Sequence, residues 1–159
     1  MAEDLARILG TKGNVYEGLF PQIVALIGNE KDVVANLGNV CAALKEAFGF
    51  FWIGFYLVKD DELVLGPFQG TVACSRIQKG KGVCGKAWEQ RETVIVPNVD
   101  LFAGHIACSS LSKSEIVVPL LNNGRILGVL DVDSDELDAF DQTDKEHLEK
   151  LCQWISGIL

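Results

Sequence analysis

Three cysteines, Cys74, Cys84 and Cys108, fall within residues 70–115, GTVACSRIQKGKGVCGKAWEQRETVIVPNVDLFAGHIACSSLSKSE. This glycine-, lysine- and serine-rich stretch interrupts an otherwise regular run of apolar segments, and binding and catalytic groups concentrate in such loops on a rigid scaffold. Structural zinc sites pair cysteines about two to four residues apart and add a second pair or histidines. Here the spacings are ten and twenty-four, with no paired ligand. A thiol redox cycle fits better: one thiolate attacks an oxidised small molecule, and a second cysteine close in space displaces the product as a disulfide forms. Lys79, Lys81 and Lys86 near Cys84, and His105 three residues before Cys108, are placed to lower thiol pKa values. The lysines equally suit a solvated face, and His105 a brace within its loop.

Carboxylates and aromatics supply the remaining candidates. Asp131 and Asp133 stand two apart in GVLDVDS, so on a strand they share one face while Leu130 and Val132 take the other. Glu115 opens the partner segment SEIVVPL. Strand ends tolerate acids beside water, but such a cluster also suits a ligand ammonium, and one member with a raised pKa could supply a proton. In FFWIGFYLV, Trp52, Gly54 and Tyr56 alternate with Phe51, Ile53, Phe55 and Leu57. The first face pairs two aromatics around a glycine notch, an aromatic ligand wall or simply a cover for the sheet; the second suits packing under helices. Cys84 lies at the start of a short helix predicted over 84–91, where unpaired N–H groups and the helix dipole favour a thiolate. The G-x-G-x-x-G run at 80–85 is no dinucleotide fingerprint, because no βαβ unit with a distal acid follows it.

The elements that must position these groups are legible in the pattern. Residues 3–9 and 14–27 read as short helices, with Pro21 ending or kinking the second. Val33, Leu37, Val40, Cys41, Leu44 and Phe48 form one helical stripe, which makes Cys41 a core residue. Strands are predicted at 50–58, 63–68 and 70–77, with a short apolar run at 94–96. Two further strands join at Asn123-Gly124, a strong hairpin signal. A terminal helix over 140–159, capped by Asp141, carries the stripe Leu148, Leu151, Cys152, Ile155 and Leu159, which makes Cys152 a core residue. The order is α+β with an antiparallel sheet, read as a single domain over 1–159: helices over about 1–48, sheet and loops over about 50–135, and a last helix over about 141–159.

Composition excludes several classes. The chain has 159 residues, 48% hydrophobic, enough for one sizeable core. Lysine plus arginine is 14 against 22 acidic residues, a net charge of -8, so neither nucleic acid nor an anionic membrane is an expected partner. The N-terminus is acidic where a signal peptide would be basic, and no segment approaches the ~20 apolar residues of a membrane span. The expected location is cytoplasmic, where five cysteines are not a disulfide framework.

In order and spacing, GFYL, GVCG, HIAC, SEIVVPL and GVLDVDS resemble the free methionine-(R)-sulfoxide reductases, which are single GAF domains, over residues 15–155. The resemblance implies a six-stranded antiparallel sheet with helices on one face and the pocket, with its loop insertion, on the other. It implies Cys108 as nucleophile and Cys84 or Cys74 as the resolving thiol, although the helix-start position favours Cys84 as the low-pKa thiol. It places Trp52 and Tyr56 around the sulfoxide and its methyl group, and Glu115, Asp131 and Asp133 at the ammonium and the proton transfer. Free methionine-(R)-sulfoxide is the implied substrate, a thioredoxin-type dithiol the reductant and a homodimer the assembly, with no metal or organic cofactor required. The alternative is a non-catalytic GAF small-molecule or redox sensor.

Overall fold

The computed structural model describes residues 4–106 and 109–159. Among these residues four α-helices, six strands and one 3-10 turn run in the order α1 (Lys12–Ile27), α2 (Val33–Phe48), β1 (Trp52–Lys59), β2 (Glu62–Gln69), β3 (Arg76–Gln78), α3 (Gly82–Gln90), β4 (Val94–Val96), the 3-10 turn (Val99–Leu101), β5 (Ser114–Asn122), β6 (Arg125–Ser134) and α4 (Gln142–Ser156). The strands form one antiparallel sheet ordered β3-β2-β1-β6-β5-β4, an α+β architecture as expected. Among the described residues no helix is long and apolar enough to cross a membrane.

Alternation along the central strands divides the core in two. Ile53, Phe55, Ile116, Val118, Leu130 and Val132 pack against α1, α2 and α4, including Leu37, Leu44, Leu148 and Ile155. Cys41 and Cys152 lie in this layer, and burial pushes both thiols up, Cys41 to about 12. On the opposite face Trp52, Tyr56, Val117 and Val129 pack with Cys84, Ala87 and Trp88 of α3. The β5–β6 hairpin turns on Asn123 (φ 49°) and Gly124 (φ 77°), the two left-handed residues that a two-residue loop requires.

Three expectations about local structure are overturned. Residues 4–9 form no helix; the Ala6 N–H donates to Gln22 Oε1 at 2.7 Å and its carbonyl accepts from Gln22 Nε2, which lays an irregular segment along α1. Glu3 lies outside the described residues. Helix α1 does not end at Pro21 but runs on through it; Pro21 is exposed, as is Glu17 one turn earlier, so the carbonyl that loses its partner faces water. The third strand covers only 76–78, because side chains of β1 claim the backbone before it: Trp52 Nε1 donates to the Thr71 carbonyl and the Tyr56 hydroxyl to the Cys74 carbonyl, each at 2.9 Å.

The first turn of α4 is tied to α1 through a buried carboxylate. Asp141 caps the helix by accepting from the Thr143 and Asp144 N–H groups. Asp144, 1% exposed, accepts from the Asp141 N–H at 2.9 Å, the Tyr16 hydroxyl at 2.8 Å and Lys12 Nζ at 2.5 Å.

Candidate functional site

Strand register assembles the site. Across the sheet Trp52 lies opposite Asp133, and Asp133 opposite Glu115; one step along, Gly54 lies opposite Asp131. Side chains of directly opposed residues share a face, so Trp52, Tyr56, Glu115, Asp131 and Asp133 all point away from the three core helices. Helix α3 covers that face and adds Cys84, and these six residues line one cavity. Phe51, His105 and Ser112 line it too. Cys74 packs beside the same layer and is disulfide-bonded, whereas Cys41, Cys84 and Cys152 are free. Cys108, expected as the nucleophile, lies outside the described residues.

The glycine notch expected between Trp52 and Tyr56 is filled. A Cβ at Gly54 would fall 2.4 Å from the Trp52 indole and 2.5 Å from Phe68 Cβ. The missing side chain thus makes room for the indole, which stacks on Phe68 at 5.4 Å between centroids and leaves Tyr56 at 6.2 Å. Phe51, expected beneath the helices, turns to the cavity because it precedes the first residue of β1 and escapes the strand's alternation.

Electrostatics reverse one expectation. Cys84 is the third residue of α3, yet its thiol is pushed well above its ordinary value, first by burial, then by the nearby carboxyls of Asp131 and Glu115, with a hydrogen bond to Asp131. Desolvation and neighbouring acids outweigh the helix terminus. The lysines are no counterweight: Lys79 Nζ sits 5.4 Å over Trp88 and Lys86 Nζ 5.5 Å over Phe102. Burial and mutual repulsion also hold the Glu115 and Asp131 carboxyls well above the carboxylate range, while Asp133, which accepts a hydrogen bond from Ser112, is pushed up to about 6 by burial. His105 Nε2 approaches Glu115 Oε2 at 3.7 Å, but burial lowers the imidazole's pKa, so this is a contact between neutral groups. The Glu115 and Asp131 carboxyls make the cavity floor a bank of protons. Ser112 was not foreseen, since nothing distinguishes one serine of a serine-rich loop until the hairpin brings Asp133 beside it.

The raised Asp133 pKa has a consequence for stability. An unfolded aspartate ionises near 4, so between about pH 4 and 6 the folded chain holds a proton that the unfolded chain has lost. Stability therefore falls as pH rises through that window, by about 1.4 kcal/mol per unit for each such proton. Asp133→Asn removes this dependence. Urea unfolding is expected to show the variant gaining on the parent by about 3 kcal/mol between pH 4 and 7; an unchanged difference would mean that Asp133 is ionised throughout.

Residues 30–159 match the family model described as GAF domain. The chain is 60% identical over 158 residues to GAF domain-containing protein A of Dictyostelium discoideum, covering 99% of this chain and all of that one. It is 44% identical over 154 residues to the free methionine-R-sulfoxide reductase of Saccharomyces cerevisiae, covering 91% of this chain and 86% of that one. The X-ray structure of free methionine-R-sulfoxide reductase from Neisseria meningitidis in complex with its substrate superposes with a TM-score of 0.96 at 52% identity, over 99% of this chain and 95% of that one.

Proposed function

This chain belongs to the GAF-domain family of free methionine-(R)-sulfoxide reductases, and from that premise we propose that it reduces free methionine-(R)-sulfoxide to methionine. The observation that carries the proposal is the proton bank of Glu115 and Asp131, with Asp133 beside it, facing the aromatic wall of Trp52 and Tyr56 in one cavity. Oxide is a poor leaving group, so reduction at sulfur needs a proton delivered to the sulfoxide oxygen in a site that excludes bulk water.

In the proposed cycle the Cys108 thiolate attacks the sulfoxide sulfur while a carboxyl of the bank protonates the oxygen. Oxygen ends on Cys108 as sulfenic acid, and methionine leaves with its sulfur reduced by two electrons. A second thiol condenses with the sulfenic acid, expelling water and forming a disulfide. Two observations support Cys74 as that thiol. It is disulfide-bonded, whereas Cys84 is free with a thiol held protonated beside Asp131. Cys84 then acts as a hydrogen-bond donor that positions the acid. A thioredoxin-type dithiol returns the disulfide to two thiols, which suits the reducing conditions of the cytoplasm. We take residues 1–159 as one catalytic domain and, by likeness to the family, the assembly as a homodimer.

The test is NADPH oxidation coupled through thioredoxin reductase and thioredoxin. Free methionine-(R)-sulfoxide is expected to turn over and the S epimer to be inert. Absence of turnover by the fully reduced protein would overturn the proposal in favour of a ligand sensor.

A further inference from the structure

We infer that the floor of the cavity is also a binding site for a divalent metal ion of the zinc class, with Cys84, Glu115 and Asp131 as ligands. The Cys84 Sγ and one carboxylate oxygen from each acid lie within 4.8 Å of one another, and all three residues are buried. Zinc bonds sulfur at about 2.3 Å and oxygen at about 2.0–2.2 Å, which puts tetrahedral ligand atoms roughly 3.5 Å apart. Side-chain adjustments of about an ångström bring the three atoms onto one ion.

A second observation points to a ligand independently of the clustering. Asp131 is only 7% exposed, and its Oδ1 has no hydrogen-bond partner among the described residues. A buried acceptor without a donor is costly, and a cation satisfies it. A water completes the fourth position, as in other sites with three protein ligands. One sulfur with two carboxylate oxygens selects borderline ions such as Zn²⁺ and Co²⁺ over Mg²⁺ or Ca²⁺. On binding, the metal–sulfur bond replaces the thiol S–H bond, the metal–oxygen bonds replace the O–H bonds of the protonated carboxyls, the released protons pass to solvent, and no electron moves.

Occupancy of this floor inhibits. The ion takes the acids that would meet substrate and neutralises the proton bank; this consequence rests on the proposed reductase reading, whereas the binding itself does not.

The experiment titrates the reduced full-length protein with Co²⁺ and follows the near-ultraviolet thiolate-to-cobalt charge-transfer band. One equivalent is expected to bind and to be displaced by Zn²⁺. Cys84→Ser should abolish the band, Asp131→Asn should weaken binding at least about tenfold, and Cys152→Ser should change neither. Far-UV circular dichroism and an unfolding midpoint check that each variant folds, and Glu115→Gln, with the same tenfold expectation, replaces Asp131→Asn if that variant does not. The proposal is overturned if no band appears, if the band survives Cys84→Ser, which would place the ion on other thiols, or if the carboxamide variant binds as tightly as the parent. In the coupled assay Zn²⁺ should raise the apparent KM for the sulfoxide. A protein that binds Co²⁺ as described but never turns over would overturn the proposed activity and leave the metal site standing.

Discussion

Cys108→Ser is expected to lower kcat/KM for free methionine-(R)-sulfoxide by at least about a thousandfold, the scale on which removal of an essential nucleophile is felt. Serine keeps the size of the side chain but is far too weak a nucleophile, at neutral pH, to attack sulfur. Single-turnover chemistry separates the thiols more sharply than the steady state. With prereduced protein and no external reductant, the parent and Cys74→Ser should each release one equivalent of methionine, because in the proposed cycle product departs before the resolving step; Cys108→Ser should release none. The Cys74 variant should then stall when thioredoxin is the reductant. A full equivalent from Cys108→Ser would transfer the attack to another thiol, and of the two on the cavity side Cys84 would be less favourable than Cys74, with burial and two carboxyls holding its proton in place.

The largest expected loss of stability lies far from the cavity. Asp144→Ala should destabilise the fold by about 2–4 kcal/mol, the combined cost of a stranded buried hydroxyl and a lost helix cap. The carboxylate is 1% exposed and receives three donors, so its loss strands the buried Tyr16 hydroxyl and leaves the Asp141 N–H without its acceptor, while the partly exposed Lys12 ammonium keeps Asp141 at 3.1 Å and the Ala139 carbonyl at 3.2 Å. It also removes half of the capping box of α4. At this chain length the melting temperature should drop by roughly 6–12 °C. Urea unfolding followed by tryptophan fluorescence measures the change. A loss below about 1 kcal/mol would class the Asp144 contacts with solvent-screened surface bridges.

Much of the architecture was legible because its signals are local. The Asn123-Gly124 turn, the stripe of α2, the Asp141 cap and the placement of Asp131 and Asp133 against Leu130 and Val132 all follow from spacing within a single element, where period and φ/ψ preference act over a few residues. From these alone the acids and the indole belong on the face opposite the helices, and there they are found. The order of motifs also identified the GAF fold and its reductase family, which the comparisons establish.

What periodicity could not supply was anything that depends on groups meeting through space. The Gly54 gap reads as a notch until the indole two residues earlier folds across it and stacks on Phe68 from the next strand. Residues 70–75 read as strand until Trp52 and Tyr56 take their carbonyls. Cys84 is the clearest case. Its place near a helix start argues for a thiolate, and the chain alone shows nothing to the contrary, because Glu115 and Asp131 lie 31 and 47 positions away. Only folding brings both acids to the sulfur and removes the water that would screen them, so the sequence by itself determined that Trp52, Tyr56, Asp131 and Asp133 lie on the sheet face away from the helices, and the tertiary structure decided which groups join them and which keep their protons.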